Sequence, residues 1–264
     1  MKLGAEWNFD RAFPIEEQAK LMKENGFDYT FLRPEDERLG EILSCLKQYG
    51  ITCENCHAPF DGINDMWKAG DCGEIMLQRL LRCVDVCADN EIPLLVVHLS
   101  SGQNPPRMND IGFDRYDRLM KRADEQGITV AYENIRRLDN VVYMLENYPK
   151  AAFCWDVGHE ACYTGGMEFM PLFSKRIGAI HLHDNTAIYD EDLHLLPYDG
   201  RIDMERAAEH LAKSPYQGSI MLEVTSRTAR IESNEMFFQK AYRAAEKFAR
   251  RVEDLRKEYQ KSRG

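Results

Sequence analysis

What limits the fold most is a rhythm. Short apolar runs rich in β-branched and aromatic residues alternate with amphipathic runs eight times along 264 residues. The pattern predicts strands over 3–7, 27–33, 51–57, 92–98, 128–133, 151–156, 177–181 and 219–223. It predicts helices over 14–25, 36–49, 74–90, 113–126, 139–148, 167–175, 204–213 and about 234–259. Gly26, Gly50 and Gly127 follow three of these helices, where a left-handed residue caps the last carbonyls. Strands separated by helices pair in parallel, because each crossover returns the chain to the same end of the sheet. Eight such units, in a chain close to the roughly 250 residues of closed barrels, predict an α/β fold, one (β/α)8 TIM barrel. The barrel is a single domain over 1–264 that ends in the long, charged C-terminal helix. No G-x-G-x-x-G follows the first strand, so an open dinucleotide-binding sheet lacks its main support.

The ends of the predicted strands carry the chemistry. His57, His98 and His181 each close a strand, His159 lies three residues past Asp156, and His183 and His194 lie in the loop after the seventh strand. Six of the seven histidines therefore map to one rim; only His210 falls inside a helix. Glu133, Asp156 and Glu223 close three further apolar runs, and no lysine or arginine ends those strands to pair with them. A buried, unpaired carboxylate is costly. Mixed His and Asp/Glu groups at one mouth instead suit a divalent metal, Zn2+ or Mn2+ or another transition ion. The loops after strands, including Pro105-Pro106 and 185–203, lie on the face where barrels do chemistry.

Composition narrows the partners. Thirty-four basic against 44 acidic residues give a net charge of −10, which favours solubility and disfavours nucleic acid, although bound divalent ions would cancel part of the acidity. Residues 1–10 contain no apolar leader segment and no run of 18 apolar residues occurs, which predicts a cytoplasmic protein with no membrane partner. A homo-oligomer is compatible with these totals. The eight cysteines are scattered, with Cys83 and Cys87 on a predicted helix and Cys154 in a strand, and read as reduced core thiols. Cys53-Glu54-Asn55-Cys56 is a C-x-x-C along a predicted strand, where positions three apart face opposite sides. Trp7, Trp67 and Trp155 read as core or pocket wall, and the charged run 250–261 as a solvated helix face.

Tyr132-Glu133-Asn134, Asp156-Val157-Gly158-His159, His181-Leu182-His183-Asp184, Asp192-Leu193-His194 and Glu223, in this order at strand ends, resemble the xylose isomerase-like TIM barrel superfamily. That group includes sugar-phosphate isomerases and epimerases as well as endonuclease IV-type apurinic endonucleases. The resemblance to its epimerases implies one Mn2+ or similar ion held by Glu133, Asp156, His181 and Glu223, with Glu133 and Glu223 doubling as acid/base groups. The resemblance to its endonucleases implies three Zn2+ ions, with His57, His98, Glu133, Asp156, His159, His181, Asp192, His194 and Glu223 as ligands. The ketohexose epimerases carry an arginine six residues after the metal histidine; Ala187 stands there in this chain, which counts against a free ketohexose.

Three functions are weighed. The first is an isomerase or epimerase acting on a small-molecule sugar or sugar phosphate. Glu133 and Glu223 move a proton next to a carbonyl through an enediolate, and His159, His183, Asp184 and Arg227 contact the substrate. The second is multinuclear zinc phosphodiester hydrolysis, in which Arg33, Arg107, Arg136, Arg137 or Arg227 contacts phosphate. Against it stand the acidic residues Asp184, Asp190, Glu191, Asp192, Asp199 and Asp203 in one loop. The third is a barrel that binds metal or sugar without turnover. The number of ions, one to three, turns on whether Asp192 and His194 fold back over the mouth.

Overall fold

Eight strands form in the predicted order: β1 (Leu3–Glu6), β2 (Tyr29–Leu32), β3 (Thr52–His57), β4 (Leu94–Val97), β5 (Thr129–Glu133), β6 (Ala152–Asp156), β7 (Ile177–His181) and β8 (Ile220–Leu222). The computed structural model describes residues 1–7, 13–229, 231 and 233–262, so residues 8–10 of the amino-terminal stretch fall outside it. The strands run parallel in the order β7-β6-β5-β4-β3-β2-β1-β8. Beyond the end of β7, Leu182 N–H donates to Met221 O at 2.8 Å and Glu223 N–H donates to Leu182 O at 3.2 Å, which joins β7 to β8 and completes the ring. This is the expected (β/α)8 barrel.

The outer layer follows as α1 (Ile15–Asn25), α2 (Leu39–Tyr49), α3 (Asp71–Asp89), α4 (Asp110–Gln126), α5 (Leu138–Asn147), α6 (Val157–Tyr163), α7 (Met170–Phe173), α8 (Met204–Lys213), α9 (Ser226–Ala229) and α10 (Asn234–Lys261). Gly26, Gly50 and Gly127 end α1, α2 and α4 in the left-handed conformation, with φ of 102°, 64° and 70°. The helix expected over 167–175 shrinks to the single turn of α7, and α6, which the hydrophobic pattern did not announce, follows β6 without a loop. No described helix is long and apolar enough to cross a membrane.

Period-two alternation divides each strand between two cores. Leu95 and Val97, Val130 and Tyr132, Phe153 and Trp155, and Ile180 point outward into the layer packed by helices. Val96, Ala131, Cys154 and Ala179, with Ala152, form a separate cluster, which fills the barrel axis. Neighbouring strands also approach closely here: a Cβ on Gly178 of β7 would lie 2.7 Å from that of Ala152 on β6. Two positions further along, the same inward face carries His98, Glu133, Asp156 and His181. The strand period thus lifts four functional groups directly above the apolar plug. Trp7, Trp67 and Trp155 are buried in the outer core, where truncating such a ring costs about 3–5 kcal/mol.

One expectation fails at β3. Its register against β2 slips, pairing Thr30 with Cys53 but Phe31 with Asn55, so Glu54 is an extra residue. A bulge of this kind cancels the alternation. The Cys53 and Cys56 side chains therefore meet instead of facing apart, and hydrogen bonding of the neutral Cys56 thiol with Cys53 and Cys87, with burial, pushes it well above its usual value. All eight cysteines are free; Cys72 is exposed, not in the core.

Candidate metal centre

Glu133, at the end of β5, is the hub. It is 1% exposed, and its two oxygens face different pairs of imidazoles. Oε2 lies 3.1 Å from His57 Nε2 and 3.0 Å from His98 Nε2. Oε1 lies 3.2 Å from His159 Nδ1 and 3.3 Å from His181 Nδ1. His181 Nδ1 also lies 3.0 Å from Glu223 Oε2, and Phe31 stacks on its ring at 4.9 Å. Ligand atoms of Glu133, Asp156, His181 and Glu223 all lie within 4.8 Å of one another, and the same holds for His57, His98 and Glu133.

Asp156 builds the next part. Its Oδ1 accepts from His159 N–H at 2.6 Å, capping α6 and turning the chain back so that His159 returns over the mouth. His183 Nε2 lies 3.0 Å from the same oxygen, and its ring stacks on His194 at 4.1 Å. Asp192 Oδ2 lies 3.1 Å from His159 Nε2 and 3.4 Å from His194 Nε2, and accepts from Tyr163 OH at 3.1 Å. His159, His183, Asp192 and His194 form a further group within 4.8 Å. Asp192 and His194 thus do fold back over the mouth.

The loop that returns them is organised by Asp184. This residue is fully buried. Its Oδ1 accepts from Asn185 N–H (2.8 Å) and Ile202 N–H (3.0 Å), and its Oδ2 from Tyr198 N–H and Gly200 N–H (both 3.0 Å). Its backbone forms an antiparallel bridge with Leu195. Both oxygens of Asp184, expected from the sequence to contact substrate, are thus occupied by backbone donors. Arg227 is exposed on α9 and does not line the mouth. His183 lies beneath the mouth, fully buried, and also does not line it. His210 pairs with Glu168 at 3.0 Å, away from the site.

The donor set fits a metal on two observations. First, Asp156 Oδ2, Asp192 Oδ1, Glu223 Oε2 and His159 Nδ1 are buried at the mouth with no well-directed hydrogen bond, only close approaches to other potential ligand atoms, a costly state that an ion would relieve. Second, the outer nitrogens of two histidines are already engaged: His57 Nδ1–H donates to Ala58 O at 2.8 Å and His194 Nδ1–H donates to Glu223 O at 2.7 Å. Each bond fixes the tautomer that leaves Nε2 as an electron-pair donor.

Without an ion, protons hold the cluster together. Burial lowers an imidazole's affinity for a proton, but the carboxylates outweigh it: Asp192 and Glu223 push His194 up to about 10. His159 is also held well above its usual range, against burial, by Asp156, Asp192 and Glu133. Against their own burial, Glu133 and Glu223 are held well below the usual carboxylate range, with His181 the main cause for both. The His194 contribution to ion-free stability is present in full below pH 6.5 and is lost as pH rises through about 10. Loading a divalent ion at neutral pH must displace these protons. Calorimetry of ion uptake in two buffers of different ionisation enthalpy should show net proton release, and affinity should rise with pH. A buffer-independent heat would contradict the ligand set.

A cavity of about 310 Å3 opens above the cluster, reached by Glu6, Arg33, Phe60, Arg136, His159 and Glu223 among others. Glu6 was not singled out in the sequence, although it ends β1 as Glu133 and Asp156 end their strands. Burial and the neighbouring Glu223 push it up. Of the arginines considered for phosphate, Arg33 pairs with Glu6 at 3.3 Å, Arg136 with Asp190, and Arg137 with Asp139 at 2.5 Å. Arg136 also lies 3.8 Å over the Tyr163 ring.

A family model described as xylose isomerase-like TIM barrel matches residues 19–250. The chain belongs to that family. Solved structures of the same fold include 3-keto-D-glucoside 4-epimerase YcjR from E. coli (19% identity, TM-score 0.75, 94% of this chain and 99% of that one). A D-tagatose 3-epimerase-like protein (18%, 0.77, 98% and 100%) and an L-ribulose 3-epimerase (15%, 0.76, 100% and 99%) are also similar. A curated relative from Sinorhizobium fredii, y4fM, is 24% identical over 200 residues. That match covers 68% of this chain and 60% of the relative, so the chain spans less than two thirds of that protein's length.

Proposed function

We propose that this family member is a divalent-metal-dependent isomerase or epimerase acting on a sugar or sugar-like polyol. The observation that carries the reading is the convergence of Glu133, Asp156, His181 and Glu223 within 4.8 Å, beneath a cavity of about 310 Å3. Solved structures of similar fold named as sugar epimerases support it. A divalent cation held by these four would withdraw electrons from adjacent hydroxyl and carbonyl oxygens of the substrate, lowering the barrier to removing the proton between them. Glu223 lines the cavity and takes that proton. Glu133 does not line it; with both oxygens turned to imidazoles, it acts as ligand and hub. Its assignment as the second proton carrier needs the cavity floor to open, whereas Glu223 alone suffices to remove and return a proton on one face. His159, which lines the same cavity beside Glu133, Asp156 and Asp192, orients a substrate hydroxyl.

Incubation of metal-loaded protein in D2O with ketoses and their phosphates should place deuterium on the carbon next to the carbonyl. Product of the same configuration at that carbon assigns the chemistry to one face, and inverted product requires a second donor. No exchange across a broad panel would sink the reading.

A second reading is favoured by one observation. The nine residues that resemble the ligands of the endonuclease branch all fall within the three groups described, with Glu133 shared by two of them. That supports a multinuclear hydrolase of phosphodiesters. The rim opposes it, since Arg33, Arg136 and Arg137 are paired with carboxylates, which leaves few free cations for a duplex. Three ions per chain, with nicking of abasic duplex, would favour hydrolysis; one ion, with exchange, favours the sugar reaction.

A further inference from the structure

A second cleft opens beside the mouth, between the loops after β2 and β3, with a volume of about 700 Å3. It shares Arg33, His57 and Phe60 with the smaller cavity over the metal ligands, so those three residues form a neck between them. Phe60 is 39% exposed, unusual for an aromatic ring beside a buried polar cluster. Its ring is fixed, stacked on His98 at 4.8 Å and edge-on to His57 at 5.9 Å. Arg33 lies 5.9 Å over the same ring, and its Nε is buried without a hydrogen-bond partner. The neck thus offers an apolar face beside an unused donor. That pairing suits a pyranose, whose C–H face packs on aromatic rings while its hydroxyls accept hydrogen bonds.

The charge of the cleft narrows the occupant. Four carboxylates line it against three arginines, and these arginines are engaged: Arg79 bonds Glu35 at 2.7 Å and Asp61 at 3.3 Å, Arg38 bonds Asp36 at 3.4 Å, and Arg33 bonds Glu6. A phosphate would meet net negative charge and no free guanidinium. A neutral polyhydroxy group would meet many carboxylate acceptors beside the exposed ring of Phe60.

We infer that this cleft is a subsite for a neutral glycosyl unit attached to the sugar at the metal centre, so that the substrate is a glycoside or disaccharide and not a free monosaccharide or sugar phosphate. The inference rests on the sugar reading above. It agrees with Ala187 standing where ketohexose epimerases carry arginine.

The test is calorimetric binding to metal-loaded full-length protein. The probes are free hexuloses (fructose, tagatose, psicose), disaccharides containing a hexulose (lactulose, isomaltulose) and hexulose 6-phosphates. At least one disaccharide should bind roughly tenfold or more tighter than every free hexulose and phosphate. Phe60→Ala should erase that advantage. Glu37→Trp, an exposed cleft position, should block the disaccharide and leave binding of the free hexulose unchanged. Equal binding of mono- and disaccharides, insensitive to Glu37→Trp, overturns the subsite alone and leaves the sugar reading standing. Tighter binding of the phosphates overturns the subsite in favour of an anionic one. Failure of every sugar to bind overturns the sugar reading, and the subsite with it.

Discussion

Glu133→Gln combined with Glu223→Gln should abolish divalent-ion binding, with metal content by mass spectrometry falling to background in protein that remains folded. The two single variants should then separate the roles. Glu133 faces His57 and His98 through one oxygen and His159 and His181 through the other, so its amide cannot serve both sides: the NH2 has no lone pair to offer an ion. Glu133→Gln should therefore lose most bound metal. Glu223 contributes its carboxylate to the groups with His181, from one side only, and lines the cavity. Glu223→Gln should retain more metal but lower turnover by about 10²–10⁴-fold, the usual loss when a proton-transfer group is removed. Unchanged metal content in the double variant would end the assignment of this mouth as a metal centre.

The second large effect belongs to a residue whose carboxylate is bound by the backbone. Asp184→Ala should lower stability by about 3–5 kcal/mol in chemical denaturation, because four backbone N–H groups lose a charged acceptor. Some of that loss is recovered by water where the loop is half-exposed. The loop held by those bonds carries Asp192 and His194, and His194 sits at φ 49°, a conformation that costs a non-glycine residue about 1–2 kcal/mol and needs its surroundings to hold it. Asp184→Ala should thus release the His159, His183, Asp192 and His194 group while leaving Glu133 and His181 in place, and any ion bound by that group should be lost selectively. Asp184→Asn keeps one oxygen as acceptor and should fall between. A variant with wild-type stability and metal content would show that the loop is held by other contacts, such as Arg201 N–H to Asn185 O at 2.7 Å and Asn185 Nδ2–H to Gly158 O at 2.9 Å.

The amino-acid sequence by itself determined the barrel. Eight alternations, glycine stops and period-two strands are local signals, and each strand's own alternation is enough to set His98, Glu133, Asp156 and His181 on the inward face. The same local rule reaches Glu6, which ends β1 two positions past the inward Gly4. Local rules fail where residues far apart in the chain decide the outcome. The bulge at Glu54 arises from pairing with β2 and puts Cys53 beside Cys56, against the alternation. Asp184 reads as one more acidic loop residue until the chain turns, and only then do the N–H groups of 198, 200 and 202 converge on it. The fate of Asp192 and His194 was open for the same reason: a nineteen-residue stretch such as 185–203 carries no periodicity that states where it returns. Tertiary structure decided that it returns over the mouth, because a buried carboxylate at its base collects donors from its far end.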